Sequence, residues 1–162
     1  SAPSTSGEGI DLSGVELTGA QEELIEAVCA TGKPVVLILV AGKPFAIPFA
    51  KKNVPAILVQ WYAGEQAGNS IADILFGKVN PSGKISFSFP QSSGHLPAFY
   101  NHLTTDKGFY KEPGTYETPG RDYVFSSPNP LWAFGHGLSY TTFDLVSANA
   151  DKTHYQAHDT IA

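Results

Sequence analysis

Pro34-Val-Val-Leu-Ile-Leu-Val40 carries no polar or charged side chain, and nearly every residue in it is β-branched or leucine. A strand with one wet face would alternate apolar and polar residues, so an unbroken run of this kind predicts a strand covered on both faces, as in a parallel sheet. Ala56-Ile-Leu-Val59 repeats the pattern. The two are expected to lie side by side, parallel and buried. Gly42-Lys-Pro44 between them marks a turn, and residues 45–52 are expected to form a short helix.

Upstream of the first strand, Thr18 and Gln21 have the spacing of a capping box, and a helix is expected from there to about Ala30. Leu24, Ile25, Val28 and Cys29 fall on one face, Glu22, Glu23 and Glu26 largely on the other, and Gly32 supplies the stop. Residues 1–17 read as an irregular loop. Downstream, Trp61-Tyr-Ala-Gly64 breaks the strand pattern, and Glu65 to Phe76 reads as a helix ended by Gly77. After the turn Asn80-Pro-Ser-Gly83, the alternation of Ile85, Phe87 and Phe89 predicts a further strand with those residues inward. The fold class is therefore α/β, a mostly parallel sheet flanked by helices in an α/β sandwich, with a long loop excursion and a terminal β segment. The excursion runs from Pro90 to Pro130, and Phe143-Asp-Leu-Val146 is the terminal strand material.

Hydrophobic residues make up 42% of the chain and charged residues 15%, a balance that favours a packed core. Fifteen acidic against 10 basic residues, with no basic window, argue against nucleic acid and anionic membranes as partners. The longest strongly apolar run, Val35 to Ala41, is far too short for a bilayer, and the opening residues lack the pattern of a signal peptide. The chain is expected to be soluble.

Cys29, the lone cysteine, is expected to be a buried, inert thiol on the inner side of the first helix. His95, His102, His136, His154 and His158 never pair at metal-site spacing, so neither metal nor cofactor is expected. Gly7-Glu-Gly9 follows a polar loop instead of a strand and does not make a dinucleotide site. Ser70 lacks the strand-to-elbow context of a hydrolase nucleophile and reads as an ordinary helix serine.

Several segments stand out when read together: Ser6-Gly-Glu-Gly-Ile-Asp-Leu-Ser-Gly-Val-Glu-Leu17, Gly32 to Pro44, Trp61 to Gly77, Asn80-Pro-Ser-Gly-Lys84, and Phe134-Gly-His-Gly-Leu-Ser-Tyr-Thr-Thr-Phe143. In order and spacing they resemble the family 3 glycoside hydrolases of the β-glucosidase and β-xylosidase kind, over roughly residues 6–146. The resemblance implies an amino-terminal barrel that carries an aspartate nucleophile, then an α/β sandwich domain, then often a fibronectin type III-like domain. On it, residues 1–90 correspond to the later part of the sandwich, 91–142 to its closing excursion and linker, and 143–162 to the start of a truncated third domain.

The resemblance implies that Glu8 is the general acid/base of a retaining glycosidase, acting on an oligosaccharide with the missing barrel domain as partner. It also suggests a periplasmic or secreted location. By residue type alone, Glu8 is a solvated loop carboxylate. The pattern departs from relatives at Leu12, where many carry an arginine, so a local loop anchor is expected to be missing. Glu65 is the rival carboxylate, although the first turn of a helix favours an acid for any purpose. Trp61 and Tyr62 are candidates for sugar stacking, with core packing the plainer reading, and Arg121 and Asp122 for a structural ion pair. Without the nucleophile the chain alone is expected to be inactive. The alternative is a non-catalytic carbohydrate-binding or interaction module.

Overall fold

The computed structural model describes residues 7–101, 115–117 and 126–160. Four elements make the body: helix α1 (Gln21–Ala30), strand β1 (Val36–Val40), helix α2 (Pro48–Asn53) and strand β2 (Ala56–Gln60). A 3-10 turn, Gly64–Gln66, then leads into helix α3 (Ala67–Leu75). Strands β1 and β2 pair in parallel, Val36 opposite Ala56 through Val40 opposite Gln60. The fold is α/β, with a parallel sheet flanked by helices.

Register puts Leu37 beside Ile57 and Leu39 beside Val59, so these four share a face. That face packs on a core of Leu39, Ala41, Ile47, Ala50, Val54, Phe89 and Leu131, bordered by Ile25 and Cys29 of α1. Phe89 is fully buried, and burying a side chain of this size contributes about 1.5–3 kcal/mol. The opposite face departs from the expectation of two-sided burial: Val36 and Val40 remain 50% and 59% exposed. Among the described residues β1 and β2 form a two-stranded sheet, and no complete layer closes over that side.

Helix α1 begins and ends close to where the sequence predicts, by a different device. Its cap residue is Ala20, and the Thr18 hydroxyl accepts from the Gln21 side-chain amide at 3.3 Å instead of from the helix backbone. Gly32 closes the helix in the left-handed conformation, φ +70°, its N–H donating to Cys29 O at 3.1 Å. Half of the apolar stripe turns outward, with Leu24 and Val28 exposed, and Cys29 is partly rather than fully buried. Helix α2 is the short helix expected between the strands, with Pro48 in its first turn, where a missing N–H costs nothing.

Residues 84–89 do not make the predicted strand. Ile85 and Phe89 instead bond to a returning segment: Ile85 N–H to His136 O, Phe89 N–H to Trp132 O and Leu131 N–H to Phe89 O, at 2.8–2.9 Å. Gly135, with φ +83°, bends the returning chain between these contacts and interrupts a regular ladder. The inward side of the alternation is as expected, for Phe89 is buried and Ile85 and Phe87 border the core.

Gln91 to Asn101 opens the excursion with a short 3-10 turn, Ser93–His95. His102 and the pair Arg121 and Asp122 lie outside the described residues. Phe143, Leu145 and Val146 form no strand and are exposed, consistent with strand material that finds no partner among the described residues.

Candidate active site

Glu8 occupies a tight turn. Gly7 N–H donates to Ile10 O at 2.8 Å and Ile10 N–H to Gly7 O at 3.2 Å, leaving Glu8 and Gly9 at the corner. Gly9 has φ +73°, a conformation that a residue with a side chain adopts at a cost. Glu8 is exposed.

The base of the same loop is held differently. Lys43 at the end of the β1 turn bonds the Asp11 carboxylate at 2.9 Å and the Leu12 carbonyl at 2.7 Å. An anchor is therefore present where one was expected to be missing: the cation comes from Lys43. The Lys43 side-chain hydrogen bond is the first cause, and the Leu12 N–H the second, that holds the Asp11 carboxyl below the usual carboxylate range. Val15 is buried, and its carbonyl accepts from Ala46 N–H at 2.7 Å.

Glu16 ties the loop to the excursion. Its carboxylate accepts from the Ser93 N–H at 2.8 Å, from the Ser93 hydroxyl at 2.7 Å and from the Val15 N–H at 3.1 Å. The Ser93 hydroxyl and then the Ser93 N–H lower its pKa to about 2. Ser93 is steadied in turn by His95, which is buried. The His95 Nδ1 accepts from Gln91 N–H at 3.0 Å, and its Nε2 lies 2.9 Å from Pro128 O. These partners select the neutral tautomer with the proton on Nε2.

The anchored base stands at the carboxyl ends of the strands, the end at which open parallel sheets bind ligands. A hollow of about 110 Å³ lies there, lined by Leu12, Leu39, Gly42, Lys43, Phe45 and Tyr62 among others. It is well below the roughly 300–1,000 Å³ of ligand pockets. A broader depression of about 660 Å³, around Lys33 and Lys52, lies at the opposite ends of the strands.

The other candidates separate from Glu8. Glu65 is exposed in the 3-10 turn after β2 and belongs to no cluster with Glu8 that the contacts record. Trp61 packs edge-on against Phe87 with ring centroids 5.2 Å apart while the residue itself stays 37% exposed. Tyr62 leans over Gly42, where an added Cβ would meet its ring at 2.9 Å. The Ser70 hydroxyl donates to Gln66 O at 3.2 Å, an ordinary helical back-bond. Sequence reasoning passed over Lys43, Glu16, Ser93 and His95. Ser93, which binds Glu16, lies 77 residues away in the chain, so no local spacing signals it.

The model of the glycosyl hydrolase family 3 C-terminal domain matches residues 1–140. This chain belongs to glycosyl hydrolase family 3. It is 40% identical to a β-xylosidase of Formosa agariphila over 99% of its own length and 21% of that protein's. With a periplasmic β-glucosidase of Salmonella typhimurium it shares 45% identity over 81% of its length and 17% of the relative's. Its structure matches a β-glucosidase of Erythrobacter marinus with a TM-score of 0.75 and 43% identity, over 88% of this chain and 17% of that one. A β-glucosidase from Listeria innocua, solved with glucose, matches with a TM-score of 0.73 and 38% identity, over 89% and 20%. The chain thus spans about a fifth of the length of these family 3 relatives.

Proposed function

We propose that this chain is the acid/base-bearing part of a retaining enzyme that releases terminal β-linked glucose or xylose from oligosaccharides, with Glu8 as general acid/base. The observation that carries the reading is the form of the loop: an exposed carboxylate on a glycine turn, standing on a base fastened at Asp11, Leu12 and Glu16. The fastened base holds the turn to the body, and the glycine leaves the carboxyl reachable by a second domain.

In the reaction, Glu8 donates its proton to the glycosidic oxygen as the bond to the anomeric carbon breaks and an aspartate of the barrel bonds that carbon. Water then attacks the glycosyl-enzyme, its proton passing to the Glu8 carboxylate, and the ester bond to the aspartate breaks. The two carboxyl groups must stand about 5–5.5 Å apart, so residues 7–10 would reach across the barrel mouth. Residues 1–90 are then the later part of the sandwich, 91–142 its excursion and linker, and 143–162 the start of a third domain. The open face bearing Val36 and Val40 is the natural seat for the earlier part of the sandwich. A periplasmic or secreted location is supported by the name of the Salmonella typhimurium relative, and no helix among the described residues is long and apolar enough to cross a membrane.

The test is Glu8→Gln in the full-length polypeptide. Hydrolysis of disaccharides should fall by about 10² to 10⁴, and that of aryl glycosides with good leaving groups far less, since a weakly basic leaving group needs little protonation. Azide should restore turnover by attacking the glycosyl-enzyme without a general base. Disaccharide hydrolysis within about twofold of the parent would remove Glu8 from the role and make Glu65 the next residue to replace. The chain alone should show no turnover. Saturable binding of glucose or xylose by the chain alone would favour the carbohydrate-binding module instead.

A further inference from the structure

We propose that Glu16, clamped to Ser93, is a positioning residue that fixes the base of the Glu8 turn and thereby sets where the acid/base carboxyl stands. The inference rests on the reading of Glu8 given above and extends it to a residue that does not touch the substrate.

Glu16 is exposed, yet both of its carboxylate oxygens are engaged. Ser93 donates both its N–H and its hydroxyl to the two carboxylate oxygens. The Val15 N–H is shared between Glu16 Oε2 at 3.1 Å and the Ser93 hydroxyl oxygen at 3.2 Å. Space has been left for it as well: a Cβ on Gly14 would lie 2.8 Å from Glu16 Oε2 and 3.5 Å from the Ser93 hydroxyl oxygen, so any side chain there pushes the carboxylate off its partners.

Simple attachment of the loop does not require this clamp, because Ala46 and Lys43 already hold residues 11–15 to the strand β1 side. What Glu16 adds is a link to a second segment, Gln91 to His95, itself pinned by buried His95 between Gln91 and Pro128. Two independent supports at the foot of a turn fix its direction as well as its place. With its pKa near 2, the carboxylate stays ionised, and the clamp closed, wherever a glycosidase acid/base titrates. A shift of about 1 Å in a catalytic group costs up to about 10² in rate, so a tilted turn would show in proton donation first.

The experiment is carried out on the full-length polypeptide and compares kcat/KM for a disaccharide and for a dinitrophenyl glycoside. Glu16→Ala should lower the first by about tenfold and the second by less than about twofold, because only the first needs the proton. Glu16→Gln keeps an acceptor for the Ser93 N–H and should recover part of the loss. Gly14→Ala, which alters no charge, should move the same ratio in the same direction, and Ser93→Ala should do so more weakly, serving if Glu16→Ala fails to fold. Equal losses on both substrates, or a lower Tm with the ratio unchanged in all these variants, would overturn the proposal. The two readings fail separately. If Glu8→Gln slows disaccharides and azide rescues it while the Glu16 and Gly14 variants leave the ratio untouched, only the positioning role is lost. If Glu8→Gln itself is within about twofold of the parent, the acid/base assignment falls.

Discussion

Residues 7–10 and residues 11–17 belong to one loop and obey opposite rules. The first stretch is exposed and, among the described residues, is closed on itself by the Gly7–Ile10 pair. The second is fixed by bonds to Ala46, Lys43 and Ser93, three residues far from it in sequence. The contrast divides a stretch that residue type alone reads as one irregular loop. On the proposed role of Glu8, a stiff support with a free tip would present its carboxylate to another domain, since a support that moved would lose the orientation on which proton transfer depends.

The contrast breaks most sharply if stability is compared across it. Phe89→Ala, beneath the support, should destabilise the chain by about 3–5 kcal/mol in urea unfolding, through lost burial and a cavity among Phe87, Leu131 and Trp132. Glu8→Gln at the tip should leave the same midpoint within about 0.5 kcal/mol. A Glu8 variant that unfolds the chain would mean that the turn is part of the body.

A pH series sharpens it further. The Ser93 hydroxyl and N–H lower the Glu16 pKa from an ordinary 4.5 to about 2, so its contribution is fully present above about 4.5 and is lost as pH falls from there toward 2. Asp11, also held low by Lys43, adds in the same direction. The unfolding midpoint should therefore drop through that window in the parent, and drop less in Glu16→Gln. Equal slopes would show that the Ser93 clamp is absent in solution.

The smallest effect is expected at Lys43. The ion pair with Asp11 is exposed, the Asp11 side chain being 63% accessible, and solvent screening leaves such pairs contributing little. Lys43→Met should cost little in stability, yet speed amide exchange at residues 11 and 12. Unchanged exchange would mean that Glu16 and Val15 hold the loop without help.

Strand positions, the order of the elements and the parallel class were legible because each depends on periodicity within a few residues, as in Val36–Val40 and Ala56–Gln60. The turn at Glu8 was legible too, through its glycines and the resemblance of its motif. The capping box and the strand at residues 84–89 misled, since Thr18 found a side-chain partner and Ile85 and Phe89 a returning segment that local pattern does not register.

By itself, then, the sequence determined that this chain builds a parallel α/β body and carries a glutamate on a glycine-flanked loop, because hydrophobic spacing and turn chemistry are local properties. The tertiary structure alone decided what holds that loop. Lys43 reaches Leu12 across 31 residues and Ser93 reaches Glu16 across 77, and hydrogen bonds between groups so distant in sequence exist only once packing of the body around Phe89 and Ile47 brings their backbones together.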